Sequence, residues 1–224
     1  MKVEQWLADM RETLAEYRNE HNANAISKYF RNQFASFGLK NGERRNLTKL
    51  FLAEAKHFSV EEISNAVRLM WEQPEREFQH AGMELIDKYR KKIGDQLKRE
   101  LEFIIAHKSW WDTVDYIAST TVGWAYKEGF ISLQDIESWN KSPDMWLNRT
   151  SIIFQLKYHK ETDWDLLQKN ILHHAFHKDF FIKKAIGWAL RQYGKTNEKE
   201  VTQFVETHEL STLSVREAMR IINK

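Results

Sequence analysis

The densest group of chemically useful side chains lies in the segment 108–115, which reads Lys-Ser-Trp-Trp-Asp-Thr-Val-Asp. In a helix, Trp111 and Asp115 are four residues apart and share one face. An electron-rich ring beside a carboxylate suits a substrate that carries or develops positive charge, because cations are attracted to ring faces. On spacing alone, the more common interpretation of such a pair is structural: the acid is exposed to solvent and the tryptophan belongs to the core.

The other acid of this segment has a structural explanation. Ser109 is expected to cap the helix, which places Asp112 in the first turn, where the helix dipole favours a carboxylate. No capping rule requires an acid at Asp115. Of the two tryptophans, Trp111 shares the face of Asp115, and Trp110 is expected to be packed.

A second candidate group lies on the predicted helix that contains Lys184, Trp188 and Arg191. Their spacing of i, i+4 and i+7 puts them on one face. A basic-aromatic-basic stripe suits a phosphate backbone with a sugar or base against the ring, although an ordinary amphipathic helix with solvated cations would look the same. Gly187 lies inside this helix, where glycine costs up to ~1 kcal/mol relative to alanine. We therefore expect close packing or a close approach beside Trp188.

Other kinds of chemistry find little support. His173 and His177 have the spacing of helical metal ligands, but no third ligand is obvious, so an exposed histidine pair is favoured. The sequence contains no cysteine, no glycine-rich phosphate loop and no Ser/His/Asp order. We expect no metal and no cofactor. With a net charge of +2, attraction to an acidic partner must come from clustered cations.

The elements that must position these residues are predicted to be helices. The 224 residues include only two prolines and eight glycines, and no alternating stretch indicates a sheet. Both prolines are expected in first turns. Helix starts are indicated by capping-box spacing at Ser59/Glu62, Ser132/Asp135, Thr162/Asp165 and Ser214/Glu217.

No apolar run could span a membrane, and the N-terminus is no signal peptide, so we expect a cytoplasmic protein.

The predicted helices also repeat. Segments with the pattern of buried helices end at Tyr89, Tyr126, Tyr158 and Tyr193, at intervals in the thirties. Such a period predicts two-helix units stacked as a solenoid with a concave face, and an irregular bundle is the alternative. We expect one domain over residues 1–224.

The repeats also predict which cations share a surface. Arg149 and Lys184 each lie nine residues before a repeat-closing tyrosine, and equivalent positions of stacked repeats face the same way. Together with the stripe that contains Trp188, they would form a basic wall able to bind nucleic acid despite the small net charge.

Several segments together resemble the AlkD family of bacterial DNA alkylation repair glycosylases. They are spread in order over the whole chain, and their combination is specific. They are Lys28-Tyr29, Gly42-Glu-Arg-Arg45, Trp71-x-x-Pro-Glu-Arg-Glu-Phe-Gln79, Trp110-Trp111-Asp112-x-Val114-Asp115, Trp146-Leu-x-Arg149, Phe154-Gln-Leu-Lys-Tyr158 and Ile182-x-Lys184-Ala-Ile-Gly-Trp188-x-Leu-Arg191.

The resemblance implies an all-α superhelical solenoid of antiparallel, HEAT-like helix pairs with a concave basic face. It implies a monomeric, nucleoid-associated bacterial enzyme that hydrolyses the N-glycosidic bond of positively charged N3- or N7-alkylpurines in duplex DNA, without base flipping. A non-catalytic HEAT-like scaffold that binds DNA or protein is the alternative.

The resemblance also implies roles for individual residues. Asp115 would be the catalytic carboxylate, and Trp111 and Trp188 would hold the sugar of the lesion nucleotide between their rings. Further contacts to DNA would come from Tyr29, which completes the aromatic wall, from Arg149, which binds a backbone phosphate, and from Lys157, Lys184 and Arg191.

Overall fold

A computed structural model describes residues 3–220 as two compact units, one ending at Glu100 and the other beginning at Leu101. Within the described range, extended backbone pairs at a single isolated bridge, between Ala35 and Glu75. The prediction of an all-α fold is therefore confirmed. The expectation of a single domain over residues 1–224 stays a prediction.

The first unit is built from helices that bury large apolar side chains. Trp6 and Trp71 are completely buried, and the ring of Trp6 meets that of Phe58 edge-on at 5.4 Å between centroids. The long pair α4 and α5 forms the main packing contact of this unit. Its helices are α1 (Val3–Glu16), α2 (Glu20–Tyr29), α3 (Asn41–Glu54), α4 (Val60–Glu72) and α5 (Arg76–Ile93), and α6 (Leu97–Ala106) follows across the boundary.

The second unit carries most of the candidate residues. Helices α9 and α10 pack against each other, and so do α12 and α14, as expected for stacked helix pairs. Its apolar core is centred on side chains such as Ile152, Ile171 and Ile186. The helices are α7 (Trp111–Tyr116), α8 (Gly123–Lys127), α9 (Leu133–Asn140), α10 (Met145–Ile153), α11 (Trp164–His173), α12 (Phe180–Gly194), α13 (Glu198–Thr207) and α14 (Thr212–Ala218).

Two of the four capping boxes form as predicted. Ser59 and Ser132 each accept a hydrogen bond from the third backbone N–H of the following helix, and the acid at that position accepts one in return. The other two predictions were wrong by a few residues: Asp163 caps α11 and Ser211 caps α14. A nearby Asp or Ser can serve as the acceptor equally well, so spacing alone does not choose between them.

Both prolines lie just outside the helices that they were expected to begin. Pro74 precedes Glu75, the N-cap residue of α5, and Pro143 precedes Asp144, the N-cap residue of α10. The first-turn prediction was therefore wrong by a short distance. Their effect is the same, because proline disfavours helical backbone in the residue before it and so separates consecutive helices.

Within residues 3–220, no helix is both long enough and apolar enough to cross a bilayer.

Candidate functional site

The second unit contains a cleft of about 280 Å³ to which four helices contribute side chains. Helices α7, α10, α12 and α14 supply its walls, and six of the eight residues predicted for the site line it. Its lining residues are Trp111, Asp115, Arg149, Phe180, Phe181, Lys184, Trp188, Arg191 and Glu217. The structure therefore brings together the two candidate groups that lie far apart in the sequence.

The start of α7 separates the two adjacent tryptophans. Trp110 has extended backbone and no side-chain cap, so the expected cap from Ser109 was wrong; the Ser109 hydroxyl donates instead to the carbonyl of Ile105 at 2.5 Å. Trp110 is 8% exposed, and its ring packs edge-on against that of Phe181 at 5.1 Å between centroids. Trp111, the next residue, lines the cleft. Trp110 thus packs behind a residue that lines the cleft, and Trp111 lines the cleft itself.

Asp115 and Arg149 form a two-point ion pair at the cleft. Nε and Nη2 of Arg149 donate to Oδ1 and Oδ2 of Asp115 at 2.7 and 2.8 Å. The arginine side chain is 5% exposed, whereas the aspartate side chain is 16% exposed. Nη1 of Arg149 donates to the backbone carbonyl of Phe181. All three guanidinium nitrogens therefore have protein acceptors, and the carboxylate is fixed in orientation.

Two opposing effects act on the pKa of Asp115. Burial raises this pKa above its ordinary value of 3.8, and the hydrogen bonds and charge of Arg149 lower it, with a net upward shift. Nearby Asp112 adds to the upward shift. Asp115 is accordingly a stronger base than an exposed aspartate.

The backbone after Asp115 is a π-helix over Ile117–Val122. Such insertions are rare and occur frequently at functional sites. The hydroxyl of Ser119 donates to the carbonyl of Asp115 at 2.7 Å, which ties the carboxylate-bearing residue to this distorted turn.

A second charged group lies on α12 and α14. Nζ of Lys184 is 2.9 Å from Oε1 of Glu217, and Nη1 of Arg191 is 2.8 Å from Oε2 of the same carboxylate. Trp188 lies between the two cations in the sequence of α12 and lines the cleft with them. The two cations keep the pKa of Glu217 below its ordinary value, Lys184 having the larger effect. One carboxylate therefore bridges the two cations of the predicted stripe.

Gly187 explains why α14 comes so close to α12. A Cβ atom at this position would lie 2.5 Å from Cβ of Glu217 and 2.7 Å from the carbonyl oxygen of Ser214. Both distances are shorter than van der Waals contact allows. The close approach expected beside Trp188 is thus that of α14, which places Glu217 beside the stripe.

Two of the predicted DNA contacts lie elsewhere. Lys157 is exposed, donates to Oγ1 of Thr120 at 2.5 Å and lies 5.7 Å from the ring centroid of Tyr116. Tyr29, at the end of α2 in the first unit, is 65% exposed and lines a separate cavity of about 400 Å³ in that unit. The roles assigned to both residues stay predictions.

The histidine pair gives no evidence of a metal centre. Among the side chains of residues 3–220, no group of three or more His, Asp or Glu is placed to hold a metal ion. His173 is exposed, and the neighbouring His174 is buried, with Nε2 2.9 Å from the carbonyl oxygen of Asn140.

Three cleft residues were missed by the sequence analysis. Phe180 and Phe181 begin α12, and no spacing rule connected them to the site. Glu217 was noted only as a capping partner of Ser214. The unexplained glycine inside α12 was the available signal, since it predicted a close neighbour without identifying it.

Comparison with known proteins agrees with this architecture. A model of the family described as DNA alkylation repair enzyme matches residues 10–222. A solved structure described as a predicted DNA alkylation repair enzyme from Enterococcus faecalis is 28% identical, covers 92% of this chain and 97% of its own, and superposes with a TM-score of 0.87. No curated protein matches the chain. Because the family model extends over nearly all of the sequence, the chain belongs to the DNA alkylation repair enzyme family.

Proposed function

We propose that this protein is a DNA glycosylase that hydrolyses the N-glycosidic bond of positively charged N3- or N7-alkylpurines in duplex DNA. The observation that carries the proposal is the Asp115 carboxylate, fixed by Arg149 in a cleft with Trp111 and Trp188. This combination can stabilise a sugar that becomes positive, and DNA alkylation is the lesion class of the family to which the chain belongs.

The reaction needs little help at the leaving group. An alkylated purine already carries positive charge, so the electron pair of the breaking C1′–N bond neutralises the ring without prior protonation. The deoxyribose then develops oxocarbenium character, as in other glycoside hydrolyses. Water adds its oxygen to C1′ and loses a proton, which Asp115 can accept and pass to solvent. The products are the free neutral base and an abasic nucleotide.

The cleft side chains supply charge stabilisation and position. The Asp115 carboxylate stabilises the developing positive charge and orients the attacking water. The ring faces of Trp111 and Trp188 add cation–π attraction as the sugar becomes positive. We assign Arg149 to positioning Asp115, because three of its five N–H groups donate to this carboxylate and to the Phe181 carbonyl and its side chain is only 5% exposed; this assignment is favoured over the phosphate contact that the resemblance implied.

We infer that the sugar and backbone, not the base, enter the cleft. If the base stays outside the cleft, the shape of the cleft cannot select among alkylated bases. Bases with bulky alkyl adducts would therefore also be substrates. Duplex DNA is the proposed partner, and Lys184, Arg191, Lys157 and Tyr29 are the proposed further contacts.

The decisive experiment is incubation with duplex DNA containing 7-methylguanine or 3-methyladenine, followed by chromatography of the released bases. Wild-type protein is expected to free the base, and Asp115→Asn is expected to bind the same duplex while releasing base far more slowly. DNA binding without base release by the wild type would favour the non-catalytic scaffold. Normal release by the variant would remove Asp115 from the mechanism.

A further inference from the structure

The Glu217 carboxylate bridges the two cations of the stripe. Its two carboxylate oxygens each accept from a different cation, Oε1 from Lys184 at 2.9 Å and Oε2 from Arg191 at 2.8 Å. Lysine and arginine bind phosphate oxygens through the same donors with which they bind carboxylate oxygens. The contacts of Glu217 are therefore those expected of a backbone phosphate.

We propose that Lys184 and Arg191 form a phosphate subsite of the cleft, at which Glu217 is a built-in competitor of the DNA backbone. The choice of DNA as the ligand rests on the proposed function. The chemistry of the subsite itself requires only a phosphodiester.

The charge of Glu217 determines how it affects the binding of DNA to Lys184 and Arg191. The Glu217 side chain is 11% exposed, and it is ionised at neutral pH because its pKa lies below the ordinary 4.5. Two positive charges and one negative charge therefore share the subsite. A phosphate that binds there must first exchange partners with the carboxylate. The exchange reduces the number of counterions that DNA releases on binding, and this number sets the salt dependence of affinity.

The packing of α14 determines which of the two cations can exchange Glu217 for a phosphate first. The contact at Gly187 leaves no room for a Cβ atom, so the backbone that carries Glu217 is held against α12. Lys184 is 37% exposed, whereas Arg191 is 20% exposed and also donates to the carbonyl oxygen of Glu217 at 3.3 Å. Lys184 is therefore the cation that changes partner first, while Arg191 keeps a backbone acceptor.

The consequence is weaker binding to undamaged DNA. Sequence-independent affinity comes from phosphate contacts, and Glu217 reduces the contribution of two of the cleft cations. Lower affinity for undamaged DNA would let a repair enzyme dissociate from undamaged sites more quickly. The alternative role of Glu217 is purely structural, as an anchor between α12 and α14.

The test compares Glu217→Gln with Glu137→Gln in the full-length protein. Glu137 lies on α9, outside the cleft, and its Oε1 is 2.5 Å from Nζ of Lys169. Both variants remove one negative charge from a carboxylate–lysine pair. Binding to an undamaged fluorescent duplex is measured from low to high salt, with thermal unfolding as the check of the fold.

Glu217→Gln is expected to bind several-fold more tightly, with a slope of log affinity against log salt that is steeper by about 0.9. Glu137→Gln is expected to match the wild type. The proposal is overturned if folded Glu217→Gln binds with unchanged or lower affinity, if both variants change equally, or if no form binds DNA.

A second variant keeps the test decisive if Glu217→Gln does not fold. Glu217→Asp retains the charge but withdraws the carboxylate by one methylene, so a smaller gain in affinity is expected, and no gain overturns the proposal. Base release by the wild type is measured separately. Absence of base release would reject the glycosylase assignment and leave the binding comparison to decide the subsite.

Discussion

Arg149 holds Asp115 through two parallel hydrogen bonds of 2.7 and 2.8 Å, although the two residues are 34 positions apart in the sequence. A planar guanidinium matches both oxygens of a carboxylate at once, which a lysine ammonium cannot do. The pair therefore fixes the orientation of the carboxylate as well as its charge.

Replacement of Arg149 by lysine is expected to reduce base release strongly and to leave DNA binding nearly unchanged. A small displacement of a catalytic group can cost roughly 10²-fold in rate, and Arg149→Lys keeps the charge but loses the two-point contact. Single-turnover base release and duplex binding provide the measurements. Arg216→Lys, at an exposed position of α14, is the matched control. Equal losses in rate and binding would argue instead for a phosphate contact.

The rate of base release is expected to fall in acid at a higher pH than for an exposed aspartate. Asp115 must be ionised to act, and burial raises its pKa above 3.8. In Arg149→Lys, the acid limb is expected at still higher pH, because Arg149 lowers this pKa. Single-turnover rates across the acidic range, corrected for spontaneous base loss from the same DNA, test both statements. Identical acid limbs in the two proteins would contradict the coupling.

Loss of the Trp111 ring is expected to slow base release moderately. A cation–π contact contributes about 0.5–2 kcal/mol, which corresponds to roughly 2- to 30-fold in rate. Trp111→Leu should lose this factor, and Trp111→Phe should keep part of it. Trp124→Leu is the control, since Trp124 stacks on Phe130 at 5.4 Å and does not line the cleft. A control that slowed equally would point to a general loss of stability.

Introduction of a Cβ atom at Gly187 is expected to destabilise the protein. Gly187→Ala gains helix propensity, but its Cβ would meet Glu217 and Ser214 at 2.5 and 2.7 Å, and overpacking of this kind typically costs about 1–3 kcal/mol. Gly42→Ala is the matched control, because the added Cβ would have no atom within 4 Å beyond its chain neighbours and the adjacent backbone of its own helix. Urea unfolding should show a lower midpoint for Gly187→Ala alone. Equal midpoints would mean that α14 can shift without cost.

Stability is expected to fall as the pH drops from about 6.5 towards 4. Burial lowers the pKa of His174 from 6.5 to about 4, so in this window the unfolded chain binds a proton that the folded protein does not. The free energy of unfolding therefore decreases with falling pH. Urea unfolding of wild type and His174→Gln at several pH values tests this, and the variant should lose that part of the pH dependence. Parallel pH profiles would exclude His174 as its source.

Local spacing predicted that the fold is helical. It also predicted which candidate residues lie on the same face of a helix. Ser59 and Ser132 cap their helices as expected, since the acceptor and its partner lie within one turn. The same rule was wrong for Ser109, Thr162 and Ser214, because the N-cap residues of these helices are Trp110, Asp163 and Ser211. Spacing alone does not choose between acceptors that lie within a few residues of one another.

The sequence by itself determined that Trp111 accompanies Asp115 and that Lys184, Trp188 and Arg191 share a face, because helix geometry fixes i, i+4 and i+7 neighbours. Only the tertiary structure decided what those groups contact. It placed Arg149 on Asp115 and Glu217 on the two cations, through packing between helices that are distant in the chain. The physical reason is that charges pair with whatever the packed core brings within hydrogen-bonding distance, and sequence spacing carries no measure of that distance.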